Sequence, residues 1–339
     1  MHWLEKNWYR ISAPHLILWP LSLAFGAAAA VRRSLYRAGM LNTLRLPVPV
    51  IIVGNITVGG TGKTPLVCWL AQFLRERGHM PGIISRGYGA NTCAPRQVLP
   101  DSDPATAGDE PLLLARRGGC PVWVGTQRSA AANALLAAYP DCSVILNDDG
   151  LQHYALARDF EIAMIDGKRG FGNGMLLPAG PLREPPRRLK RTDAIVTNGA
   201  ALFPHEELPP AVLIFEMRLI GSVFYNLLNP DQQVGSEHFL ERQVHAVAGI
   251  GNPQRFFEHL RDLGISFTAH PFPDHHPFTA ADLTFPGGSD AILMTEKDAV
   301  KCERFGNENF WVLRVNAEVE PGLGELVLRK LKNLPTEMP

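Results

Sequence analysis

Short apolar runs alternate along the chain with longer stretches of helical spacing. Val48-Pro-Val-Ile-Ile-Val53 reads as a buried parallel strand, left through Gly54–Gly62 and followed by a helix from Lys63 to about Arg77. That helix opens Lys-Thr-Pro, with the proline in the first turn, where its missing N–H costs little. The pattern continues with a strand at Gly82–Ser85, a helix over Ala107–Arg117, a strand at Pro121–Gly125 and an alanine-rich helix over Gln127–Ala138. Ser143–Leu146, Glu161–Ile165, Ala194–Thr197 and Val212–Met217 add apolar strands, the first two each followed by Asn or Asp. Such alternation predicts an α/β fold, a doubly wound and mostly parallel sheet that takes ligands at the carboxyl ends of its strands.

A second, smaller α/β unit is expected from Gln243 onward. Val244–Ala248 reads as a strand, Gly249-Ile-Gly-Asn-Pro253 as a turn, and Gln254–Leu263 as a helix. Ala291–Met294 and Trp311–Val315 supply further strands, and Gly324–Leu331 a closing helix. The expected organisation is an amino-terminal helical segment over 1–40, a larger domain over 41–217, a linker over 218–242 and the smaller domain over 243–339.

The amino-terminal segment has its own pattern. Leu16 to Val31 is almost wholly apolar, interrupted by Pro20, Ser22 and Gly26 and closed by Arg32, Arg33 and Arg37. As a helix it would rise roughly 24 Å, short of the roughly 30 Å hydrocarbon core of a bilayer. Trp3, Trp8, Tyr9 and Trp19 suit a lipid–water boundary. A helix lying on a membrane surface is the expected placement, with a buried helix or a true span as alternatives. A cleaved signal peptide is rejected, because it would leave a triphosphate-binding loop outside the cytosol.

Composition narrows the class. With 339 residues, 46% hydrophobic and 19% charged, the chain is long enough for two cores and too apolar for wholesale disorder. Lys+Arg and Asp+Glu are both 33, so no global field attracts nucleic acid, and an anionic substrate must meet a local cluster. Cys68, Cys93, Cys120, Cys142 and Cys302 are scattered and odd in number, which argues against a disulfide framework or a zinc site. No obligate protein partner is evident.

The strongest chemical signal is Thr57-Val58-Gly59-Gly60-Thr61-Gly62-Lys63-Thr64, between a strand and a helix. Its glycines let backbone N–H groups converge on phosphate oxygens, and the helix amino terminus adds positive potential. Lys63 can reach the terminal phosphates of ATP and the Thr64 hydroxyl can ligate Mg2+. The first glycine of the usual phosphate loop is Thr57 here. In the same sheet, Val144-Ile-Leu-Asn-Asp-Asp149 ends in paired carboxylates, either of which could orient the metal. Switch GTPases and partition ATPases fit less well: Thr295-Glu-Lys-Asp298 has its lysine one place late for guanine, and Val58 stands where a partition ATPase carries lysine.

Other candidates lie away from the loop. Asp109 and Glu110 stand at a helix start, where capping alone accounts for a carboxylate. Asp274-His275-His276 reads as part of an Asp–His pair rather than a metal site, since adjacent histidines chelate one ion poorly. Pro181–Arg191 carries five basic residues that suit acidic head groups, a phosphorylated substrate or simply solvent.

Taken together, Val53–Pro65, Ser85-Arg-Gly-Tyr-Gly89, Gly108-Asp-Glu-Pro111, Asp148-Asp-Gly-Leu-Gln-His153, Pro178–Glu184, Phe272-Pro-Asp-His-His276 and Thr295–Asp298 resemble the motifs of the tetraacyldisaccharide 4'-kinases, in order and over nearly the whole chain. That family shares the Thr57-type loop. The resemblance implies a P-loop NTPase-type sheet with a smaller second domain, and ATP- and Mg2+-dependent phosphorylation of the 4'-hydroxyl of a tetraacyldisaccharide 1-phosphate in lipid A biosynthesis. It implies an enzyme at the cytoplasmic face of the bacterial inner membrane, peripheral or anchored by its amino-terminal helix. Lys63 and Thr64 would hold phosphate and magnesium, Asp148 would belong to the metal shell, and Asp109 with His275 would deprotonate the sugar hydroxyl. Arg183 and Glu184 are the acceptor-side candidates. A membrane-associated regulatory P-loop ATPase is the alternative.

Overall fold

The computed structural model of the protein describes residues 8–9, 13–87, 94–204 and 208–333. Trp3, Tyr88, Gly89 and Cys93 lie outside the described residues.

The larger sheet has nine strands. In chain order they are β1 Val50–Gly54, β2 Pro81–Ser85, β3 Arg96–Val98, β4 Val122–Val124, β5 Val144–Asp148, β6 Phe160–Asp166, β7 Ala194–Asn198, β8 Leu213–Ile220 and, from far along the chain, β15 Asn316–Val319. Their spatial order is β15-β8-β7-β6-β1-β5-β2-β4-β3. All neighbours run parallel except the two edge pairs, β15·β8 and β3·β4. The inner strands are buried from end to end, which is why they read as unbroken apolar runs rather than alternating ones.

Helices cover both faces. α2 (Lys63–Glu76) and α4 (Asp109–Arg117) bury Leu66, Leu70 and Leu112 on one face, joined by Leu323 and Val327 of α8 (Gly322–Lys332). α5 (Arg128–Ala138) covers the other face with Ala131, Ala132 and Leu135. The helix expected over Ala107–Arg117 is broken at Gly108, so a short α3 (Pro104–Ala107) precedes α4 and Asp109 opens a helix of its own.

The smaller sheet has six strands, β9 Phe224–Asn226, β10 Gln233–Val234, β11 Val244–Ala248, β12 Thr268–Pro271, β13 Ala291–Thr295 and β14 Phe310–Leu313, in the order β10-β9-β14-β13-β11-β12. α6 (Pro253–Asp262) packs Phe257 and Leu260 on one side, and α7 (Glu296–Cys302) packs Ala299 and Cys302 on the other. Residues 218–242, expected as a linker, thus carry β9 and β10 of this sheet. Past the smaller sheet, β15 and α8 return to the larger one.

The amino-terminal helix α1 runs from Ala13 to Arg37, longer than its apolar stretch. Its inner side is fixed by polar contacts: Ser22 Oγ accepts from the amide of Ala179 at 3.0 Å, and Arg33 reaches Glu184 at 2.8 Å. Its outer side exposes Ile17 (80%), Trp19 (52%), Leu21 (58%), Leu23 (53%) and Val31 (58%), so it is not the buried helix considered above. No described helix is long and apolar enough to cross a membrane.

Candidate active site

The carboxyl edge of the larger sheet gathers the chemistry. β1 ends in the phosphate loop, and its neighbour β5 ends in Asp148, which pairs in register with Val53. The loop is pinned from outside by the segment that carries Arg183: Val58 donates to the carbonyl of Pro181 at 2.8 Å, and the Arg183 amide to that of Ile56 at 2.7 Å. Gly62, just before α2, has φ 92° and packs against Asn198, so a side chain there would collide with the Asn198 amide. Asn198 Nδ2 also donates to the carbonyl of Thr61 at 2.9 Å. The loop is therefore braced by Pro181, Arg183 and Asn198 of its own chain.

Two aspartates in sequence occupy different electrostatic worlds. Lys63 Nζ lies 3.2 Å from Asn55 Oδ1 and 3.4 Å from Asp149 Oδ1, while Arg183 Nη1 donates to both Asp149 oxygens at 3.2 and 3.0 Å. Burial would push the Asp149 carboxyl up, but the Lys63 and Arg183 charges hold it well below the usual carboxylate range. Asp148 is sealed behind it and accepts from Ser85 Oγ at 3.2 Å, while its Oδ1 has no hydrogen-bond partner among the described residues. Burial, followed by the charge of Glu110, pushes its carboxyl up to about 7. Beneath both, buried Arg128 donates to Asn147 Oδ1 at 3.1 Å and to the Asp148 carbonyl at 3.1 Å. Burial lowers its guanidinium to about 10.

Across the cleft, Asp109 and His275 meet. His275 Nδ1 lies 3.0 Å from Asp109 Oδ2, and the other oxygen accepts from the Glu110 amide at 2.9 Å. Burial favours the neutral acid, but the His275 hydrogen bond and the Lys297 charge hold the Asp109 carboxyl below its ordinary value. For His275, burial pulls down and is outweighed by the bond to Asp109, so the imidazole sits above its ordinary value. Both His275 (φ 59°) and Asp149 (φ 49°) hold the left-handed backbone conformation, uncommon outside glycine and concentrated at functional sites.

The two units touch at the loop itself. Gly251 of the smaller unit lies so close to Gly60 that a side chain at 251 would collide with the Gly60 amide nitrogen. Asp166, at the end of β6, clamps this contact. Its Oδ2 accepts from Asn252 at 3.1 Å and faces Arg255 at 2.8 Å, and Arg169 donates to the Gly251 carbonyl at 2.7 Å. At the far end of the cleft Arg117 donates to both oxygens of Glu296 at 2.5 and 2.6 Å. Between these contacts lies a cavity of about 1590 Å³, bordered by α1 at Phe25, Ala28 and Arg32, by the phosphate loop, and by Asp274, His275 and Lys297. That exceeds the roughly 300–1,000 Å³ of a single small-molecule site and leaves room for two substrates.

Lys63, Thr64, Asp149, Arg183, Glu184 and His275 thus line one cavity, with Asp109 and Asp148 buried at its walls. Glu184 is 2% exposed and nearly saturated, accepting from Arg33, Gln152 and Tyr154 at 2.8, 3.1 and 2.7 Å, so it anchors α1 to the site. The basic run is not wholly solvated: Arg188 is buried and donates to both oxygens of Glu161 at 2.7 and 2.8 Å. Sequence reasoning missed Arg128, Asn198, Asp166, Asn252, Arg255 and Lys297. For Asp166 and Asn198 the signal was a polar residue closing an apolar strand, for Asn252 the Gly249–Pro253 turn and for Lys297 the Thr295–Asp298 motif; for Arg128 and Arg255 there was none.

Comparison with known proteins identifies the family. The family described as Tetraacyldisaccharide-1-P 4'-kinase matches residues 14–332. A tetraacyldisaccharide 4'-kinase of Methylobacillus flagellatus is 52% identical over 332 residues, covering 98% of this chain and 96% of the relative. One from Azoarcus is 51% identical over 330 residues, covering 96% and 95%. The crystal structure of LpxK from Aquifex aeolicus, described as an "apo" form in complex with ATP, superposes with a TM-score of 0.77 at 31% identity, covering 94% of this chain and 99% of that one. The chain belongs to the tetraacyldisaccharide-1-P 4'-kinase family.

Proposed function

We propose that this chain transfers the γ-phosphate of ATP to the 4'-hydroxyl of a tetraacyldisaccharide 1-phosphate, in the step of lipid A biosynthesis that its relatives' names describe. The observation that carries the reading is the Asp109–His275 pair, whose His275 lines the same cavity as the phosphate loop and α1. Membership of a kinase family disfavours the regulatory ATPase alternative.

In this reading Gly59 to Thr64 hold the triphosphate through backbone amides, and Lys63 leaves Asp149 to meet the charge that gathers on the transferred group. Asp109 takes the proton of the 4'-hydroxyl as its oxygen forms the new bond to phosphorus, while the bond to the ADP oxygen breaks. His275 supports that base through its contact with Oδ2, because an aspartate held below its ordinary value is a weak base alone. Arg183 and Glu184 form the acceptor side, Arg183 as a free charge once Asp149 is released and Glu184 by holding Arg33 and α1 in place.

The residues also fit a magnesium ion. Asp148 has a buried oxygen with no hydrogen-bond partner among the described residues and a carboxyl raised by burial and by the charge of Glu110, a state that a bound divalent cation relieves. Thr64 and Asp148 would hold it, and the ion would supply charge neutralisation between the phosphates. The exposed apolar side of α1 supports a seat on the membrane surface, where an acylated acceptor is found, and hence the cytoplasmic face of the inner membrane. Of the expected boundaries, 41–217 and 243–313 are kept for the two units, with 224–234 added to the smaller and 316–332 returned to the larger.

The test is ADP production from ATP and Mg2+, with and without an acylated disaccharide 1-phosphate in mixed micelles. Turnover that requires the acceptor and yields the 4'-phosphate supports the reading. ATP hydrolysis indifferent to acceptor would overturn it.

A further inference from the structure

Lys297 is the residue of the cleft for which the transfer scheme has no use, yet it is built in with unusual completeness. It stands in α7 between two locked neighbours. Glu296 is held by Arg117, and buried Asp298 accepts from the Gly249 amide at 3.0 Å and from Thr295 Oγ1 at 2.8 Å. With both flanking side chains fixed, the lysine is aimed back into the cleft, and it is only 15% exposed. Its Nζ meets Glu110 Oε1 at 2.8 Å, Asp274 Oδ1 at 3.1 Å and His275 Nε2 at 3.3 Å.

An ammonium has three protons to donate and no lone pair to accept with. Its three partners are therefore three acceptors, and Nε2 of His275 must be bare. A neutral imidazole with a bare Nε2 carries its proton on Nδ1, the nitrogen 3.0 Å from Asp109 Oδ2. We propose that Lys297 is a positioning residue of the phosphoryl transfer: by donating to Nε2 it fixes His275 as the Nδ1–H tautomer that hydrogen-bonds Asp109. This rests on the reading of Asp109 and His275 as the proton-accepting pair.

The charges around the ring make the lysine necessary. His275 is flanked by Asp109 from α4 on one nitrogen and by Asp274 from its own turn, 3.8 Å from the other, with Glu110 beyond Lys297. Three carboxylates would favour a doubly protonated ring, whose positive charge would weaken Asp109 further as a base. Lys297 is the opposing charge in contact with that second nitrogen, and Lys301 acts on the pair from farther along α7. Burial opposes a charge on Lys297, but Glu110, Asp274 and Asp109 raise its ammonium above the ordinary value, so it stays a donor at neutral pH.

The experiment uses the full-length protein labelled with 15N-histidine, without substrate, above neutral pH. His275, assigned by comparison with His275→Gln, should show a protonated Nδ1 and a bare Nε2; a ring protonated on Nε2 instead overturns the proposal. In Lys297→Met the ring should take a proton on Nε2 at higher pH than before. The acid limb of kcat should then move up by roughly one pH unit, as expected when an adjacent like charge is removed, and Lys297→Arg should restore it. A lower kcat with an unmoved acid limb would mean a merely structural lysine. If Lys297→Met does not fold, the wild-type spectrum still decides. A normal rate for Asp109→Ala alongside the expected spectrum would instead fault the reading of the pair and leave the tautomer standing.

Discussion

Nδ1 of His275 and Oδ2 of Asp109 lie 3.0 Å apart although 166 positions separate the residues in the chain. Groups that share one proton act as a unit, so their losses should not add. Asp109→Ala and His275→Ala should each lower kcat steeply, and the double variant should be about as slow as the worse single one. ATP affinity should barely change, because neither group belongs to the phosphate loop. Fully multiplicative losses would show independent action, and a normal rate for Asp109→Ala would leave Asp149 as the next candidate base.

The same pair has a signature in stability. His275 sits above its ordinary value of 6.5, so its contribution is complete below that pH and fades as pH rises through the folded value. Asp109 sits below its ordinary 3.8, so its contribution is present above that pH and is lost as pH falls through the folded value. The pair should therefore stabilise most between these limits. The difference in Tm between the parent protein and Asp109→Asn should be larger at pH 6 than at pH 8.5; a difference that grows with pH would reverse the sign.

Lys63→Ala and Thr64→Ala should each cut kcat by roughly a hundredfold or more, since both act where charge builds up in the transition state. Circular dichroism should be unchanged, because the loop is held by Pro181, Ile56 and Asn198 rather than by these side chains. Near-normal turnover in a folded Lys63→Ala protein would sink the phosphate-loop assignment.

Asp148 and Asp149 should separate in a magnesium titration. Asp148→Asn should raise the Mg2+ needed for half-maximal activity by roughly tenfold or more. Asp149→Asn should instead leave that Mg2+ requirement little changed, because its carboxylate faces Lys63 and Arg183 rather than the ion. The opposite ranking would move the metal to Asp149.

Ile17, Leu21 and Val31 are more than half exposed on α1. Replacing them with serine should change stability by no more than about 0.5 kcal/mol each. Sedimentation with vesicles of anionic lipid should fall, and turnover of vesicle-borne acceptor should fall with it, while detergent-dispersed acceptor is spared. Unchanged partitioning would contradict the surface placement.

Much of this was legible in the sequence for local reasons. Strands buried on both faces must be apolar runs, and a loop of Gly59, Gly60 and Gly62 before a helix announces its ligand by itself. The site was legible only in part, because its pairings are long-range. Nothing near Asp166 announces Arg255, and Lys297 stood in Thr295–Asp298, a segment read as a poor guanine reader and as a family motif with no role for its lysine. The edge strand β15 escaped notice because membership of a sheet is decided by partners, and Asn316–Val319 has no long apolar run of its own.

That strand has one more implication. β15 and α8 complete the edge and one face of the nucleotide-binding sheet, yet they are synthesised after the whole of the smaller unit. Domains of growing chains ordinarily fold in order as they emerge. Here the first sheet must wait, missing an edge strand and the helix that buries Leu323 and Val327. The two units are thus nested in time, and no single cut would yield an intact nucleotide-binding half.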